Sequence, residues 1–338
     1  MADPTRILET GFAFWGSKVL LTAVEFELFT VLGSESMRGE ELGERLGLHS
    51  RGVWDFLDTL VSMGILERDG DGPGAQYRNT AEASIFLDKS STEYVGGILE
   101  MLNARLFRFW DGLGHALKSG KPQNEARHGM KPMFEELYSK TERLEQFMAA
   151  MAGISRGNFR ALAEKFDFSR YETLTDVGGA SGVLSIEVAK AHPHLRCTSF
   201  DLAQVAPIAR ANIEWAGLHD RVDTASGDFF KDPLPKADII TMGMILHDWN
   251  LEKKQHLIRA AYDALPDGGA FIAVENLIDD ARRENTFGLL MSLNMLIEFG
   301  DAFDFTGADF RSWCKDAGFR EFDQIHLAGP CSAAIAYK

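Results

Sequence analysis

Apolar residues in the second half of the chain alternate between two spacings, and this alternation predicts the larger part of the fold. Short runs of apolar and β-branched residues, typical of buried strands, recur between segments with apolar residues at helical spacing. The predicted strands are Leu174–Val177, Arg196–Phe200, Val222–Ser226, Ala237–Met242 and Ala270–Val274. The predicted helices are Val183–Ala191, Val205–Ala216, Leu251–Leu265, Arg283–Phe299 and Ala308–Ala317. Repeated strand–helix units predict a Rossmann-like α/β fold, a mostly parallel sheet that ends in an antiparallel hairpin of Phe322–Leu327 and Ala333–Tyr337.

The first half of the chain is predicted to be mainly helical. Apolar side chains recur at helical spacing over residues 8–32, 92–118 and 132–165, with a polar linker at 119–131. After the first region come a short helix ending at Gly47, a second ending at Gly64, and a hairpin of Ile65–Arg68 and Gln76–Asn79. This order is typical of a winged helix. We therefore predict an all-helical and winged-helix dimerisation and lid domain over residues 1–166 and a sheet domain over residues 167–338.

The charge of the chain limits what the winged helix can bind. The formal net charge is −15, which disfavours nucleic acid and anionic membranes as partners. Many winged helices bind DNA through their second helix, but here that helix carries Asp55 and Asp58 beside Arg51. The acidic excess favours a dimerisation or scaffolding role over DNA binding.

The few cysteines and the absence of a targeting pattern indicate a cytoplasmic protein. Three widely spaced cysteines (Cys197, Cys314 and Cys331) predict neither a disulfide framework nor a cysteine metal site. The N-terminus lacks a basic patch followed by an apolar run, and no apolar run approaches the roughly 20 residues that span a bilayer. We predict no membrane partner.

A glycine-rich stretch links the first predicted strand of the sheet to the following helix. Asp176 lies at the strand tip, and Gly178, Gly179 and Gly182 follow it. Glycines allow backbone to approach a ligand closely, yet the spacing does not match the dinucleotide fingerprint. A carboxylate at this tip repels a pyrophosphate but suits S-adenosylmethionine, which carries a cationic amino group and no phosphate. The alternative is a tight strand-to-helix turn without a ligand.

Polar side chains also follow the later strands, at Asp201, Asp228, His247 and Glu275. Ligands of open α/β sheets bind outside the carboxyl ends of the strands, where these residues are expected to converge. Asp201 could accept hydrogen bonds from ribose hydroxyls or cap the next helix. Asp228 and Phe229 could face an adenine or form a core turn. His247 could be a base or a buried helix cap.

Six motifs in order carry a resemblance to a known family. They are Asp-Val-Gly-Gly-Ala-Ser-Gly from Asp176, Ser199-Phe-Asp-Leu, Ser226-Gly-Asp-Phe-Phe, Ile245-Leu-His-Asp-Trp, Leu265-Pro-Asp-Gly-Gly and Val274-Glu. Together they resemble the S-adenosylmethionine-dependent O-methyltransferases of the caffeate and hydroxyindole type. The resemblance covers nearly the whole chain, because that family also has an N-terminal winged-helix dimerisation domain, and it implies a homodimer.

The resemblance implies roles for particular residues. Asp176, Gly178, Gly179 and Gly182 would approach the methionine part of the cofactor, and Asp201 with Leu202 would hold the ribose. Asp228 and Phe229 would hold the adenine, which Gly243 would border. His247 would be the general base, oriented by Glu275 and Asp304. The chain departs from the family where Asp304 replaces the usual Glu, and where Gly243 replaces a Lys of many plant members.

The acceptor is expected to be a small aromatic molecule with a hydroxyl group, held in a flat apolar pocket. The candidate lining residues, each of which could instead belong to the core, are Phe107, Trp110, Met148, Met151, Met244, Met291, Asn294 and Met295. Three alternatives stay open: methyl transfer to carbon or nitrogen, a member of the fold that no longer methylates, and a DNA-binding regulator with a ligand-sensing domain. His247 beside Asp248 is too little to predict a metal site.

Overall fold

The computed structural model describes residues 2–128 and 141–338, without the side chains of residues 126, 128 and 141–143. Two compact units make up the chain. The first extends to Arg108 and includes Ala149–Ile154, and the second contains Phe109–Met148 and Ser155–Lys338. Much of the region between residues 109 and 166 thus packs with the sheet. The functional boundary near residue 167 stays a prediction.

The first unit contains short helices around a three-stranded antiparallel sheet. Its helices are α1 (Thr5–Glu25), α2 (Leu28–Leu32), α3 (Gly39–Arg45), α4 (Ser50–Ser62), α5 (Ala81–Phe86) and α6 (Gly96–Met101). Its strands are β1 (Met37–Arg38), β2 (Leu66–Asp69) and β3 (Gln76–Asn79), in the order β1-β3-β2. The predicted hairpin pairs Leu66 with Asn79, and its Tyr77 is buried in one core cluster with Leu57 and Leu60 of α4. A sheet with one buried face is stable at this size only when helices cover that face, as α3 and α4 do here.

The single helix predicted over residues 8–32 is wrong. The chain breaks at Glu27, whose φ of 56° is left-handed, and restarts as α2. The ion pair of Glu27 with Lys89 and the burial of Leu28 and Phe29 accompany this break. No Gly or Pro marks it in the sequence.

Helix α1 exposes an apolar surface. Its large exposed residues are Ile7, Leu8, Phe12, Phe14 and Trp15. By length and composition alone, α1 is the one helix among the described residues that could cross a membrane, so the expectation that no apolar segment reaches that length is wrong for α1. Helices that pack in a protein core or interface pass the same test, and α1 carries Arg6, Glu9 and Lys18 along its length.

The helical region predicted at 92–118 is less regular than expected. After α6, a π-helical stretch Leu102–Leu106, a single turn Phe107–Phe109 and a 3-10 turn Trp110–Gly112 lead into α7 (Leu113–Ser119). Helix α8 covers Thr141–Lys165, and the predicted helical residues 132–140 lie outside the described part of the chain.

A seven-stranded sheet forms the centre of the second unit. Its strands are β4 (Thr173–Val177), β5 (Arg196–Asp201), β6 (Val222–Ser226), β7 (Ile239–Gly243), β8 (Ala270–Glu275), β9 (Glu321–His326) and β10 (Ser332–Tyr337). The order is β6-β5-β4-β7-β8-β10-β9, parallel from β6 to β8 and antiparallel at β10 and β9. The helices are α9 (Val183–Ala191), α10 (Ala206–Trp215), α11 (Leu251–Ala264), α12 (Thr286–Phe299) and α13 (Gly307–Ala317). This architecture confirms the predicted fold class.

The strand order places a crevice at β4. The chain builds β5 and β6 on one side of β4 and then crosses to β7 and β8 on the other. Such a reversal leaves a gap at the carboxyl ends of the strands, where ligands of open sheets bind. Because β8 is buried along its whole length, the side chain of Glu275 at its end is held in a fixed place.

Helix α13 begins with a capping box that we expect to contribute measurably to stability. The Thr306 hydroxyl accepts the backbone N–H of Asp309, and the Asp309 carboxylate accepts the N–H of Thr306. Thr306→Ala is expected to cost about 1 kcal/mol and lower the melting temperature by about 2–4 °C. The exposed Ser312→Ala in the same helix is the control, and equal melting temperatures for both variants would contradict this role.

Candidate active site

The glycine-rich loop after β4 is held in a conformation that side chains would disturb. Gly178 and Gly182 have φ values of 70° and 79°, which L side chains rarely adopt. A Cβ at Gly178 would collide with Ile245, and one at Gly179 would collide with Ser199. Ala180, which has a φ of 48°, shares this left-handed geometry without being glycine. The loop therefore packs so closely against Ile245 and Ser199 that only glycine fits at residues 178 and 179.

Asp201 at the end of β5 fixes the loop. One carboxylate oxygen accepts the N–H of Ala180 at 2.8 Å, and the other accepts the N–H of Leu202 at 2.7 Å. Burial raises the pKa of Asp201, and the two backbone donors oppose that rise. Each oxygen keeps a second lone pair, so both remain able to accept a hydroxyl from a ligand.

Asp176 lies beneath the loop. Its side chain is buried and accepts a hydrogen bond from the Thr241 hydroxyl at 2.8 Å. Burial raises the pKa of Asp176 to about 7. A Cβ at Gly179 would come within 3.0 Å of Asp176, so the acid lies directly against the glycine backbone. Asp176 thus supports the loop from within the sheet.

Two further cofactor candidates lie beside the loop. The Phe229 ring would be 3.8 Å from a Cβ at Gly178, and it packs edge-on against Trp249. The Asp228 carboxylate accepts from Lys231 at 2.7 Å and from the Phe230 N–H at 3.0 Å, and these contacts lower its pKa.

Gly243 at the end of β7 faces an aromatic ring. A Cβ at this position would lie 3.0 Å from the Phe159 ring, so the space that a side chain would need at residue 243 is already filled. The structure therefore gives a steric reason for glycine at residue 243.

His247 lies in a 3-10 turn, Leu246–Asp248, that follows β7. Its side chain is 8% exposed. The Nδ1 atom is 3.4 Å from Asp304 Oδ1 and 3.8 Å from Glu275 Oε2, and the Nε2 atom is 3.3 Å from Asp248 Oδ1. The structure thus brings together the three residues that the sequence predicts as catalytic.

Glu275 and Asp304 reach His247 from two different elements. Glu275 ends β8, and its Oε1 accepts the Leu246 N–H at 2.9 Å, which fastens the turn that carries the imidazole. Asp304 lies in the segment between α12 and α13, where its own N–H donates to the Ser292 hydroxyl at 3.2 Å. Both carboxylates are buried.

The surrounding acids change the basicity of the imidazole. Burial lowers the pKa of His247, but the charges of Asp248 and Glu275 and the contact with Asp304 outweigh it and raise the pKa from 6.5 to about 10. Burial raises the pKa of Glu275 to about 7 and also raises the pKa of Asp248. The cluster therefore favours a proton on His247 more than water does.

Asp248 is a site residue that the sequence reasoning did not assign. The 3-10 turn brings its carboxylate to the imidazole edge opposite Glu275 and Asp304. The sequence signal for this contact is only that Asp248 directly follows His247, since the contact depends on the turn.

The predicted acceptor residues fall into different surroundings. The Trp110 indole donates to Asn294 Oδ1 at 3.0 Å, and Met295 is buried beside Asn294 on α12. Met244 follows β7 with a φ of 56°. Met291 lies half-buried on α12.

Of the three further acceptor candidates, one is buried in a core cluster and two belong to the first compact unit. Met148 is buried against Leu144 and Val205, as in the core alternative. Phe107 and Met151 belong to the first compact unit.

His247, Glu275 and Asp304 offer ligand atoms within 4.8 Å of one another, a spacing that could hold a metal ion. The same arrangement also fits a site for proton transfer. The turn and strand contacts place two acids at one ring nitrogen, the arrangement that orients a histidine base.

Comparisons with known proteins place the chain among methyltransferases. Residues 110–320 match the O-methyltransferase domain, and residues 8–89 match the O-methyltransferase dimerisation domain. The chain is 39% identical to the tetracenomycin polyketide synthesis 8-O-methyl transferase TcmO of Streptomyces glaucescens. The 335 aligned residues cover 99% of this chain and 97% of that protein. It is 35% identical to the N,N-dimethyltransferase OxyT of Streptomyces rimosus, over 95% of this chain and 92% of that one. A structure of human N-acetylserotonin methyltransferase in complex with SAM superposes with a TM-score of 0.91 at 28% identity, over 100% of this chain and 98% of that one.

Proposed function

Because the chain belongs to the family of S-adenosylmethionine-dependent O-methyltransferases, we propose that it methylates a phenolic hydroxyl of a small aromatic molecule, with His247 as the general base. The observation that carries the proposal is the imidazole whose Nδ1 atom faces both Asp304 and Glu275 at the carboxyl end of the sheet. The name of TcmO describes O-methylation in the synthesis of a polyketide, which supports an aromatic polyphenol as the acceptor class.

The residues around β4 fit the donor. Gly178, Gly179 and Gly182 add no side chains of their own to the loop, which allows the methionine part to approach its backbone. Asp201 has free lone pairs for the ribose hydroxyls. The Phe229 ring beside the loop suits an adenine face. When bound, S-adenosylmethionine supplies an activated methyl group on a positive sulfur.

The chemistry asked of the protein is proton removal and positioning. A phenol has a pKa near ~10 and is a weak nucleophile until it loses its proton. Neutral His247 accepts that proton, and the carboxylates of Glu275 and Asp304 stabilise the imidazolium that forms. Asn294, fixed by Trp110, is proposed to orient the acceptor so that its oxygen lies in line with the methyl group.

A label-transfer experiment tests this function. Purified protein is incubated with methyl-labelled S-adenosylmethionine and a panel of polyphenols, matched methyl ethers and matched anilines, and the products are identified by mass spectrometry and NMR. We expect the label on phenolic oxygen, and none on the methyl ethers. Label on aniline nitrogen or ring carbon alone would replace the O-methylation proposal.

Removal of metal ions is expected to leave turnover unchanged. Imidazole and carboxylates that serve as base and orienting acids need no cation between them. Activity is measured after dialysis against EDTA and again after addition of Mg²⁺ or Zn²⁺. Loss of activity on chelation with recovery on adding one of these ions would assign the three groups to a metal site.

We also propose that the first unit, which matches the dimerisation domain, pairs two copies of this chain through the apolar surface of α1. Phe12, Phe14 and Trp15 are 49–58% exposed on that helix, which is unfavourable unless another surface covers them. The helix, helix and hairpin order is that of a winged helix used for association.

A charge on this surface is expected to break the dimer. Trp15→Glu should give a monomer by sedimentation at concentrations where the parent protein is a dimer, since an interface cannot bury an unpaired carboxylate cheaply. Trp215→Glu, at an 81% exposed residue of α10, is the control. Dimers with unchanged affinity in Trp15→Glu would exclude this surface.

A further inference from the structure

A lysine lies behind the catalytic cluster with no role in the mechanism above. Lys254 in the second turn of α11 is fully buried, and it is the one Lys or Arg that is buried among the described residues. Burying a long cationic side chain is costly unless its charge is matched. We therefore expect partners that compensate the buried charge of Lys254.

The contacts of the Lys254 ammonium connect the two segments that supply the base and its orienting acid. The group donates to the carbonyl oxygen of Trp249, two residues after His247. It also lies 3.8 Å from the centre of the Phe303 ring, one residue before Asp304. Cation–π contacts of this kind are worth more when they are desolvated, as here.

The same two segments are linked a second time nearby. Asn250 donates its side-chain amide to Asp301 at 2.8 Å. The segment from His247 to Asn250 is thus fastened to the segment from Asp301 to Asp304 at two points, and Lys254 forms the buried one.

The charges in the cluster are out of balance without Lys254. Asp248, Glu275 and Asp304 surround one imidazole, so even protonated His247 leaves an excess of negative charge. Burial lowers the pKa of Lys254 to about 8, against the acids Glu275, Asp304, Asp248 and Asp301, which raise it. The lysine therefore keeps most of its charge at neutral pH.

We propose that Lys254 is a positioning residue of the methyl transfer site, which fastens the His247 turn to the Asp304 segment and offsets the excess of carboxylate charge around the base. The effect of Lys254 on His247 follows from its positive charge. A nearby cation disfavours the imidazolium, so Lys254 raises the fraction of His247 that is neutral and able to accept a proton. The inference rests on the proposed function, since it concerns the same base.

The test separates the charge of Lys254 from its packing. Lys254→Met keeps the length of the side chain and removes both charge and donor, whereas Lys254→Gln removes the charge and keeps an N–H donor. Lys253→Met, the neighbouring exposed lysine, is the matched control. The full-length variants are labelled at histidine, and the pKa of His247 is read from NMR titration, with His247→Gln assigning the signal.

We expect both Lys254 variants to raise the pKa of His247 by about one unit, the lower end of what a neighbouring charge causes, because they remove the cation that interacts with Glu275, Asp304 and Asp248. We expect Lys253→Met to leave it unchanged. The acid limb of the pH–rate profile should move upward by the same amount. An unchanged pKa in both Lys254 variants, or failure of both to fold, would overturn the proposal. Because the NMR reading needs no turnover, it stands apart from the test of His247 as the base.

Discussion

His247→Ala is expected to lower kcat by about 10²- to 10⁴-fold, the usual contribution of a general base. The affinity for S-adenosylmethionine should stay within about threefold of the parent, because in our proposal the imidazole serves the acceptor. Turnover is measured with a phenolic acceptor at saturating donor, and donor affinity by calorimetry. His219→Ala, at an exposed histidine, is the control.

A second acceptor, chosen by its ionisation state, distinguishes proton removal by His247 from positioning of the acceptor. An acceptor that is already ionised at neutral pH, such as a nitrophenol, needs no base, so His247→Ala should cost it far less than it costs an ordinary phenol. Equal losses for both acceptors would mean that His247 positions the acceptor without removing its proton. Full activity of His247→Ala with both would eliminate His247 from the reaction.

Asp201→Ala is expected to weaken binding of S-adenosylmethionine by about 10²-fold. Hydrogen bonds to a charged acceptor are worth roughly 1.5–3 kcal/mol each, and every 1.4 kcal/mol changes a dissociation constant about tenfold. The substitution also removes the acceptor of the Ala180 N–H and so loosens the glycine-rich loop. Calorimetry with the donor and with its demethylated product measures the change.

Asp223→Ala provides the control for Asp201. Asp223 is exposed on the neighbouring strand β6, and its carboxylate accepts from the Thr224 N–H as that of Asp201 does from Leu202. Unchanged donor affinity in Asp201→Ala would remove this residue from the ribose site. A loss in kcat alone would also contradict the assignment, since ribose contacts act on binding.

The centre of the sheet could be predicted from the sequence because strands β4, β7 and β8 are buried along nearly their whole length. In a chain with regular strand–helix spacing, an apolar run such as Ala270–Val274 predicts a buried strand. The observed strand β8 is one residue longer than this prediction. The family was recognised from motifs at these strand ends, and the family matches confirm it. Strand ends converge by topology, so the placement of His247 near Glu275 followed from the fold class.

Features that depend on tertiary contacts could not be predicted in this way. The break at Glu27 has no Gly or Pro to mark it. In the glycine-rich loop, the left-handed conformation also falls on Ala180, whose N–H donates to Asp201. Lys254 reads as a polar residue of an amphipathic helix, yet it is fully buried. The contact of Asp248 with His247 depends on a turn three residues long.

The pH dependence of the methyl transfer step in a single turnover tests the central claim most directly. His247 must be neutral to accept a proton, so the rate should rise with pH along an acid limb between about 6.5 and about 10. In Asp304→Asn one carboxylate that stabilises the imidazolium is lost, so the limb should move to lower pH and the plateau rate should fall. A rate that does not change from pH ~6 to ~10, or a limb that stays in place in Asp304→Asn, would contradict a histidine base oriented by that acid.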